Sequence, residues 1–417
     1  MEERIPLVTN DAVVLAILVA ALGLIFHTSS LKHPFFQRFY RVVPTVLLCY
    51  FIPALLNTFG VISGEDSGLY YVASRYLLPS SLVLLTLSID LKSILKLGPK
   101  AVIMFFAGTA GIVLGGPLAL FTVSLVVPEV LGMEGADETW RGLATIAGSW
   151  IGGSANQTSM LEVFGASPTL FSQMIAVDVI VANVWMAALL YGAGMPDKID
   201  RFFKADNSAI IELQEKVEKY RQGIVRVPTL SDTMVLVGLG FGVTGLSHLV
   251  GDTLGPYVRE NHPGLIQYSL DNVFFWIVIV ATTGGLLLSF TKARQLEGVG
   301  ASRLGSALLY ILVATIGMQM DLGAVLENPL FFLIGMIWMV FHVLIMLVVA
   351  YFIKAPFFFV AVGSQANVGG AASAPIVASA FNASLAPVGV LLAVLGYAVG
   401  TYGAYICGLL LQLISNL

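Results

Sequence analysis

The sequence TIAGSWIGGSANQTSMLEVFGASP, residues 145–168, and the shorter VGSQANVGGAASAP, residues 362–375, decide how this chain folds. Each stretch belongs to a long apolar run, yet each is crowded with glycine, hydroxyl and amide residues. Non-helical backbone persists inside a bilayer only where protein or a water-filled cavity satisfies its polar groups. Two such stretches at matched positions are typical of a transporter binding site near the bilayer midplane. The alternative is that the glycines only permit close helix packing.

The composition around these stretches is that of a polytopic α-helical membrane protein. Of 417 residues, 57% are hydrophobic and 11% are charged, whereas a typical soluble protein is about 25% charged. Long continuous apolar runs argue against a membrane β-barrel, whose strands alternate in polarity. The 21 Lys and Arg against 25 Asp and Glu leave no basic surplus for nucleic acid. We therefore expect a lipid bilayer as partner and no nucleic-acid partner.

Apolar segments of a length close to a membrane span recur along the chain, because a helix needs about 20 residues to cross the hydrocarbon core. A hydrophilic linker, residues 195–228, holds 13 of the 46 charged residues. Its apolar residues recur at steps of three and four, which predicts an amphipathic helix at the membrane surface. The twelve predicted segments are 11–28, 42–63, 74–91, 101–127, 141–165, 168–194, 230–250, 269–290, 301–326, 329–353, 355–381 and 385–417.

The two sides of the linker resemble each other. NDAVVLA (10–16) matches SDTMVLV (231–237), and AGSWIGGSANQTS (147–159) matches VGSQANVGGAASA (362–374). Self-similarity of this kind indicates a duplicated unit. We interpret residues 1–194 and 229–417 as two repeats joined by the linker.

The distribution of basic residues predicts the orientation. Lys and Arg concentrate in segments 28–41, 92–100 and 291–303, which the positive-inside rule places in the cytoplasm. All short loops fit this rule only if the fifth segment of each repeat dips into the membrane and returns. Five crossings per repeat make the repeats inverted, with both termini outside and the linker cytoplasmic. Whether the polar segments are re-entrant hairpins or broken spanning helices stays open.

The expected fold class is therefore an all-α polytopic membrane protein. It consists of two inverted repeats, each with about five crossings plus a broken or re-entrant polar segment, and ten to twelve apolar segments in total. The first segments of each repeat would form a scaffold domain, and segments four to six a core domain.

The polar residues of the two interrupted stretches are the candidate substrate site, because hydroxyl and amide groups can contact a solute while glycines let the backbone unwind. The predicted substrate-binding residues are Ser149, Ser154, Asn156, Gln157, Thr158, Ser364, Gln365, Asn367 and Ser373. The glycines expected to unwind the helices are Gly148, Gly152, Gly153, Gly363, Gly369 and Gly370.

Asp178 is the acidic residue that lies well inside an apolar segment. A carboxylate there is costly and by default functional, although one paired within the bundle would be structural. We predict that Asp178, Asn183, Asn156 and Asn367 hold a coupling ion, Na⁺ or H⁺. His342, also within a span, is either a hydrogen-bonded core residue or a proton relay.

Enzyme motifs are absent from the sequence. It contains no HExxH, GxSxG, GxxxxGK[ST] or paired CxxC, and Cys49 and Cys407 both lie in apolar runs. We therefore expect no enzyme, no catalytic residue, no cofactor other than a possible coupling ion, and no metal beyond Na⁺.

The motifs IGGSANQTSM (151–160) and GSQANVGGAASAPIVA (363–378) resemble those of an integral membrane family with a domain-of-unknown-function label, number 819. The resemblance covers nearly the whole chain. More distantly, the layout is similar to sodium/glutamate, 2-hydroxycarboxylate and bile-acid symporters and to sodium/proton antiporters. This implies secondary transport by an elevator-like motion in a homodimer of the plasma membrane, the inner membrane in a bacterium. The buried arginine that carboxylate carriers often use is missing.

The expected function is thus a sodium- or proton-coupled secondary active transporter of a small organic solute. The missing arginine favours a monoanion, a zwitterion or a neutral solute over a dicarboxylate. The alternatives are a cation/proton antiporter and an ion channel or facilitative pore. The adjacent aspartates of electrogenic antiporters are absent, which weakens the first alternative.

Overall fold

The computed structural model describes residues 6–43, 45–64, 67–203, 205, 227–320, 328–382 and 385–417, and the described residues contain helices and no strand. The helices before the linker are α1 (Asp11–Ser30), α2 (Pro34–Val42), α3 (Thr45–Thr58), α4 (Leu69–Val72), α5 (Leu78–Leu87), α6 (Leu91–Lys96), α7 (Pro99–Ser124), α8 (Thr139–Gly152), α9 (Ser154–Phe164), α10 (Pro168–Ala193) and α11 (Pro196–Phe203).

The helices after the linker are α12 (Leu230–Asn261), α13 (Val273–Ser289), α14 (Ala301–Gly317), α15 (Leu330–Ile353), α16 (Phe357–Val368), α17 (Gly370–Phe381) and α18 (Ala386–Ser415). A π-helical turn, Ala73–Leu77, joins α4 to α5, and a 3₁₀ helix, Lys292–Val299, precedes α14. The amphipathic helix expected in the linker falls mainly on residues 206–226, which lie outside the described residues.

Polar side chains cap α1 and α12, the helices that open the two halves of the chain. Asn10 accepts hydrogen bonds from the backbone N–H groups of Ala12 and Val13, which caps α1. Thr229 and Asp232 form a capping box at the start of α12. These caps satisfy N–H groups that have no partner within their own helix.

The chain is polytopic. Among the described residues, six helices are long and apolar enough to cross a membrane, or up to eight if each of two bent helix pairs is one span. The six are α1, α7, α10, α12, α15 and α18, and α14, α16 and α17 are shorter apolar helices. Fewer single helices reach the length of a span than the ten to twelve apolar segments expected, because several segments are interrupted or bent.

The helices pack in two groups, and each group takes helices from both halves of the chain. α1, α3, α5, α12, α13 and α14 contact one another and are termed the flanking group. α7 to α10 and α15 to α18 contact one another and are termed the hairpin group, since it contains the interrupted helices α8–α9 and α16–α17. Contacts between the groups are fewer and come mainly from α9 and α18 against α5 and α13.

Within the hairpin group, the backbone of α18 closely approaches the end of α8. A Cβ added to Gly396 would lie 2.5 Å from the Ile151 carbonyl oxygen, and one added to Gly400 would lie 2.6 Å from Cα of Gly152. Glycine is required at both positions because no other residue lets the two backbones meet. This contact lies at the end of α8, next to Gly152.

We predict that Gly396→Ala lowers the apparent melting temperature of the purified protein, because overpacking of this kind costs about 1–3 kcal/mol. Gly245→Ala is the matched control, since nothing lies within 4 Å of a Cβ added to that glycine of α12. Thermal unfolding in detergent measures both variants, and equal melting temperatures would contradict the close approach.

Candidate functional site

The first interrupted stretch is a helical hairpin. α8 ends at Gly152, Gly153 has a φ of +79°, and α9 begins at Ser154. A Cβ added to Gly148 would lie 2.5 Å from the carbonyl oxygen of Asn156. Two residues eight positions apart would be about 12 Å apart along a straight helix, so the chain turns back on itself. We term α8–α9 the first hairpin.

The second interrupted stretch turns in the same way. α16 ends at Val368, and Gly370, which begins α17, has a φ of +58°. The Gln365 side-chain amide donates to the Ser373 hydroxyl over 2.7 Å. These side chains are also eight positions apart and could not meet along a straight helix. We term α16–α17 the second hairpin.

The predicted unwinding glycines serve two different purposes. The helices are interrupted next to Gly153 and Gly370, whereas Gly148 and Gly363 lie inside α8 and α16. The prediction that Gly148 and Gly363 unwind the backbone is therefore wrong. A Cβ added to Gly363 would lie 3.0 Å from the Met104 backbone, so this glycine allows close packing. α8 ends at Gly152, and Gly369 directly follows the last residue of α16.

The carboxylate of Asp178 lies against the first hairpin. It accepts hydrogen bonds from the Ser149 hydroxyl at 2.6 Å, the Trp150 indole at 2.7 Å and the Gln157 amide at 3.2 Å. Asp178 is only 8% exposed. Its three neighbours come from both arms of the hairpin, so α10 ties the two arms together through one buried acidic group.

Tyr50 of the flanking group approaches the same carboxylate. Its hydroxyl is buried, and it is near enough to Asp178 and Thr158 to interact with both side chains. Its ring packs against Phe171 of α10 with centroids 6.4 Å apart. Sequence reasoning missed Tyr50, because an aromatic residue in an apolar run carries no signal of its own.

Asn156 fastens the first hairpin to α18. Its side-chain amide donates to the carbonyl oxygens of Gly152 and Tyr397, each at 3.1 Å, and its oxygen accepts from the Thr401 hydroxyl at 2.5 Å. The side chain is fully buried. In this conformation both amide hydrogens of Asn156 bind backbone carbonyls, so the side chain links α9 to α18.

Asn367 fastens the second hairpin to α7 with the same pattern. Its amide donates to the carbonyl oxygens of Gly363 at 2.9 Å and Phe105 at 3.0 Å, and its oxygen accepts from Thr109 at 2.8 Å. Thr401 lies four residues after Tyr397, and Thr109 lies four residues after Phe105. We term Asn156 and Asn367, with these partners, the asparagine clamps.

Two further predicted residues, Asn183 and Thr158, make local bonds. Asn183 donates to the carbonyl oxygen of Val179 on its own helix at 2.7 Å, so the structure does not bring it to Asp178. Thr158 likewise donates to the Ser154 carbonyl oxygen at 3.0 Å. The Ser154 side chain is partly exposed, as expected of a residue at the tip of the hairpin.

Ser364 belongs to a buried chain of hydrogen bonds through His342. Nδ1 of His342 lies 3.1 Å from the Gly108 carbonyl oxygen, which can only accept, so Nδ1 carries the proton. Nε2 then accepts from the Ser364 hydroxyl at 2.7 Å, and Trp185 donates to Ser364 at 2.8 Å. His342 is therefore a hydrogen-bonded core residue. The indole of Trp185 was missed because tryptophan reads as apolar.

α10 therefore forms hydrogen bonds with both hairpins. Asp178 contacts the first hairpin and Trp185 the second, and seven residues of helix separate them by about 10 Å. The hairpin tips are partly exposed: the residues concerned are Ser149, Gly153 and Ser154 in the first, and Gly369, Gly370 and Ser373 in the second.

A cavity of about 240 Å³ lies where the first hairpin meets the flanking group. Tyr70, Glu162 and Gln319 supply its polar lining. Arg75 pairs with Glu162 at 2.8 Å, and the Tyr70 hydroxyl also contacts that carboxylate. Among the described residues no group of three His, Cys, Asp or Glu could hold a metal ion.

We predict that Asn367→Ala destabilises the ligand-free protein, because each buried group that loses its partner costs about 1–3 kcal/mol. Asn183→Ala is the matched control, since Asn183 bonds only to its own helix among the contacts described. Apparent melting temperatures in detergent report the difference. A ligand-contact role alone would leave the melting of the ligand-free Asn367→Ala protein unchanged.

Comparison with known proteins supplies the family. The chain is 25% identical over 353 residues to a protein of Bacillus subtilis (strain 168) named uncharacterized membrane protein YjcL, and the match covers 81% of this chain and 82% of that protein. The model of the family described as protein of unknown function (DUF819) matches residues 16–414. Because that match spans most of the 417 residues, the chain belongs to the DUF819 family of membrane proteins.

Proposed function

We propose that this protein is a secondary active transporter of a small organic solute that works by alternating access. The observation that carries the proposal is the attachment of Asp178 to both arms of a broken helix inside an apolar helix bundle. Ionisable groups at such depth mark substrate and ion pathways. Interrupted helices whose tips are partly exposed offer backbone dipoles and hydroxyl groups to a solute.

The packing of the helices supports a moving part and a stationary part. In the proposal the flanking group is the scaffold and the hairpin group is the core, and the two halves of the chain are inverted repeats. Polar contacts that cross between the groups are small in area and reversible, such as Thr282 with Thr401 at 3.1 Å and Arg75 with Glu162 at 2.8 Å. Bonds of this kind let one group slide against the other.

The ion pairs of the arginines near the first hairpin support a solute that carries at most one net negative charge. Arg75 and Arg141, the arginines that reach the first hairpin, are each paired with a glutamate, Glu162 and Glu138 respectively. The charge of each guanidinium is therefore already balanced by a carboxylate. A monoanion, a zwitterion or a neutral solute fits the hydroxyl and amide groups of the hairpin tips better.

The remaining parts of the proposal rest on the distribution of charged residues along the sequence and on the family resemblance. The protein lies in the plasma membrane as a homodimer, with the linker in the cytoplasm and both termini outside. Na⁺ or H⁺ drives uptake.

We predict that Asp178→Asn reduces solute uptake by about ten-fold or more, since the loss of one charge-assisted hydrogen bond costs about 1.5–3 kcal/mol. A thermal-shift screen of small monoanions, zwitterions and neutral solutes in NaCl and in KCl first identifies the solute. Uptake into proteoliposomes under a sodium or proton gradient then measures the variant.

Asp252→Asn is the matched control, because Asp252 is an exposed acid of α12. Uptake that saturates and depends on the gradient supports a carrier, whereas unitary currents in planar bilayers would identify a pore. The proposal is wrong if Asp178→Asn transports like Asp252→Asn.

We also predict that cross-linking the two groups stops uptake. The Thr282 and Thr401 hydroxyl oxygens are 3.1 Å apart, so cysteines at both positions are close enough for a disulfide. Oxidised Thr282→Cys/Thr401→Cys should transport nothing, and the same protein after reduction should regain uptake. Equal uptake in the oxidised and reduced states would show that the groups need not move.

A further inference from the structure

The side chain of Gln365 has one polar atom without a partner. Its amide nitrogen donates to the Ser373 hydroxyl at 2.7 Å, but its oxygen Oε1 is buried and has no hydrogen-bond partner among the described residues. Gln365 is only 2% exposed. A buried acceptor left alone costs about 1–3 kcal/mol, so an unpaired one points to a missing donor, water or ion.

The unpaired oxygen lies at the break of the second hairpin. A Cβ added to Gly369 would lie 2.1 Å from Nε2 of Gln365 and 1.8 Å from Oγ of Ser373. The Gln365 amide therefore occupies the space that any larger residue would fill at this turn. Gly369, Gly370 and Ser373 are partly exposed, which gives a small ion a route to the break.

The end of α16 supplies oxygen atoms at this position. The Gln365 carbonyl accepts from the Gly369 N–H at 2.9 Å. α16 ends at Val368, so the carbonyl groups of Ala366, Asn367 and Val368 have no partner further along their own helix. These carbonyls, the amide oxygen of Gln365 and the hydroxyl oxygen of Ser373 form a set of neutral oxygen atoms.

We propose that the break between α16 and α17 binds Na⁺, with Oε1 of Gln365 as its side-chain ligand. Hydroxyl and carbonyl oxygens that carry no full charge suit a monovalent ion, whereas divalent ions prefer carboxylates. This inference rests on the proposed function, for which it supplies the ion site.

The surroundings of Asp178 do not favour the same ion. Its carboxylate already accepts from a hydroxyl, an indole and an amide, and each of these neighbours presents hydrogen atoms rather than oxygen lone pairs. A metal cation there would have to displace donors. The acceptor-rich break of the second hairpin is therefore the better cation site, and Asp178 holds the first hairpin and the solute path.

The experiment compares Gln365→Leu with the matched control Gln267→Leu in purified protein. Gln267 is an exposed glutamine of a surface turn. Thermal melting is followed during titration with NaCl, LiCl, KCl and choline chloride at constant ionic strength. We expect a sodium-specific rise of about 2–4 °C in the wild type and in Gln267→Leu, and its loss in Gln365→Leu.

Gln365→Glu keeps the test decisive if Gln365→Leu does not fold. A carboxylate at this position keeps an oxygen ligand and adds charge, so the sodium concentration at half-maximal stabilisation should fall about ten-fold. An unchanged midpoint in Gln365→Glu, or an unchanged sodium response in Gln365→Leu, would overturn the site. A wild-type protein that melts identically in all four salts would also overturn it and indicate that water satisfies Gln365.

The outcomes for the ion site and for the carrier are separable. Uptake that persists when Na⁺ is replaced by K⁺ or choline would overturn the ion site and leave the carrier standing. Sodium-specific melting without uptake of any solute would support the ion site and contradict the carrier.

Discussion

Polar backbone groups inside a membrane must all find partners, and the two helix breaks create groups that cannot find them within their own helices. At the first break the Asn156 amide meets this demand, since it donates to the carbonyl oxygen of Gly152, where α8 ends. Both asparagine clamps also bind a broken helix to its neighbour, since Asn156 donates to Tyr397 of α18 and Asn367 donates to Phe105 of α7. Glycines at the crossings let the helices come close enough for these bonds.

The position of the breaks could be predicted from the sequence, and so could the polytopic α-helical class. Glycine, amide and hydroxyl residues stand out in apolar runs, and the helices are interrupted at Gly153 and next to Gly369. Asp178 was also a sequence-level candidate, because an acid inside an apolar helix is rare. The structure places it against Ser149 and Gln157, two residues of the predicted substrate site.

The roles of individual residues could not be predicted, because they depend on contacts between distant parts of the chain. Asn156 meets Tyr397, and Asn367 meets Phe105, across separations of more than 200 residues. Composition alone cannot distinguish a glycine that packs, such as Gly363, from one that turns the chain, such as Gly370. Spacing on one helix likewise did not reveal that Asn183 bonds to its own backbone.

The central claim is that both hairpin tips face water within the membrane, and thiol accessibility tests it most directly. Ser154→Cys and Ser373→Cys are labelled in proteoliposomes with a charged, membrane-impermeant thiol reagent, with Val184→Cys as the lipid-facing reference, since Val184 is 52% exposed on the long apolar helix α10. The account predicts rapid labelling at both tips and none at Val184. Tips as unreactive as Val184 would contradict it.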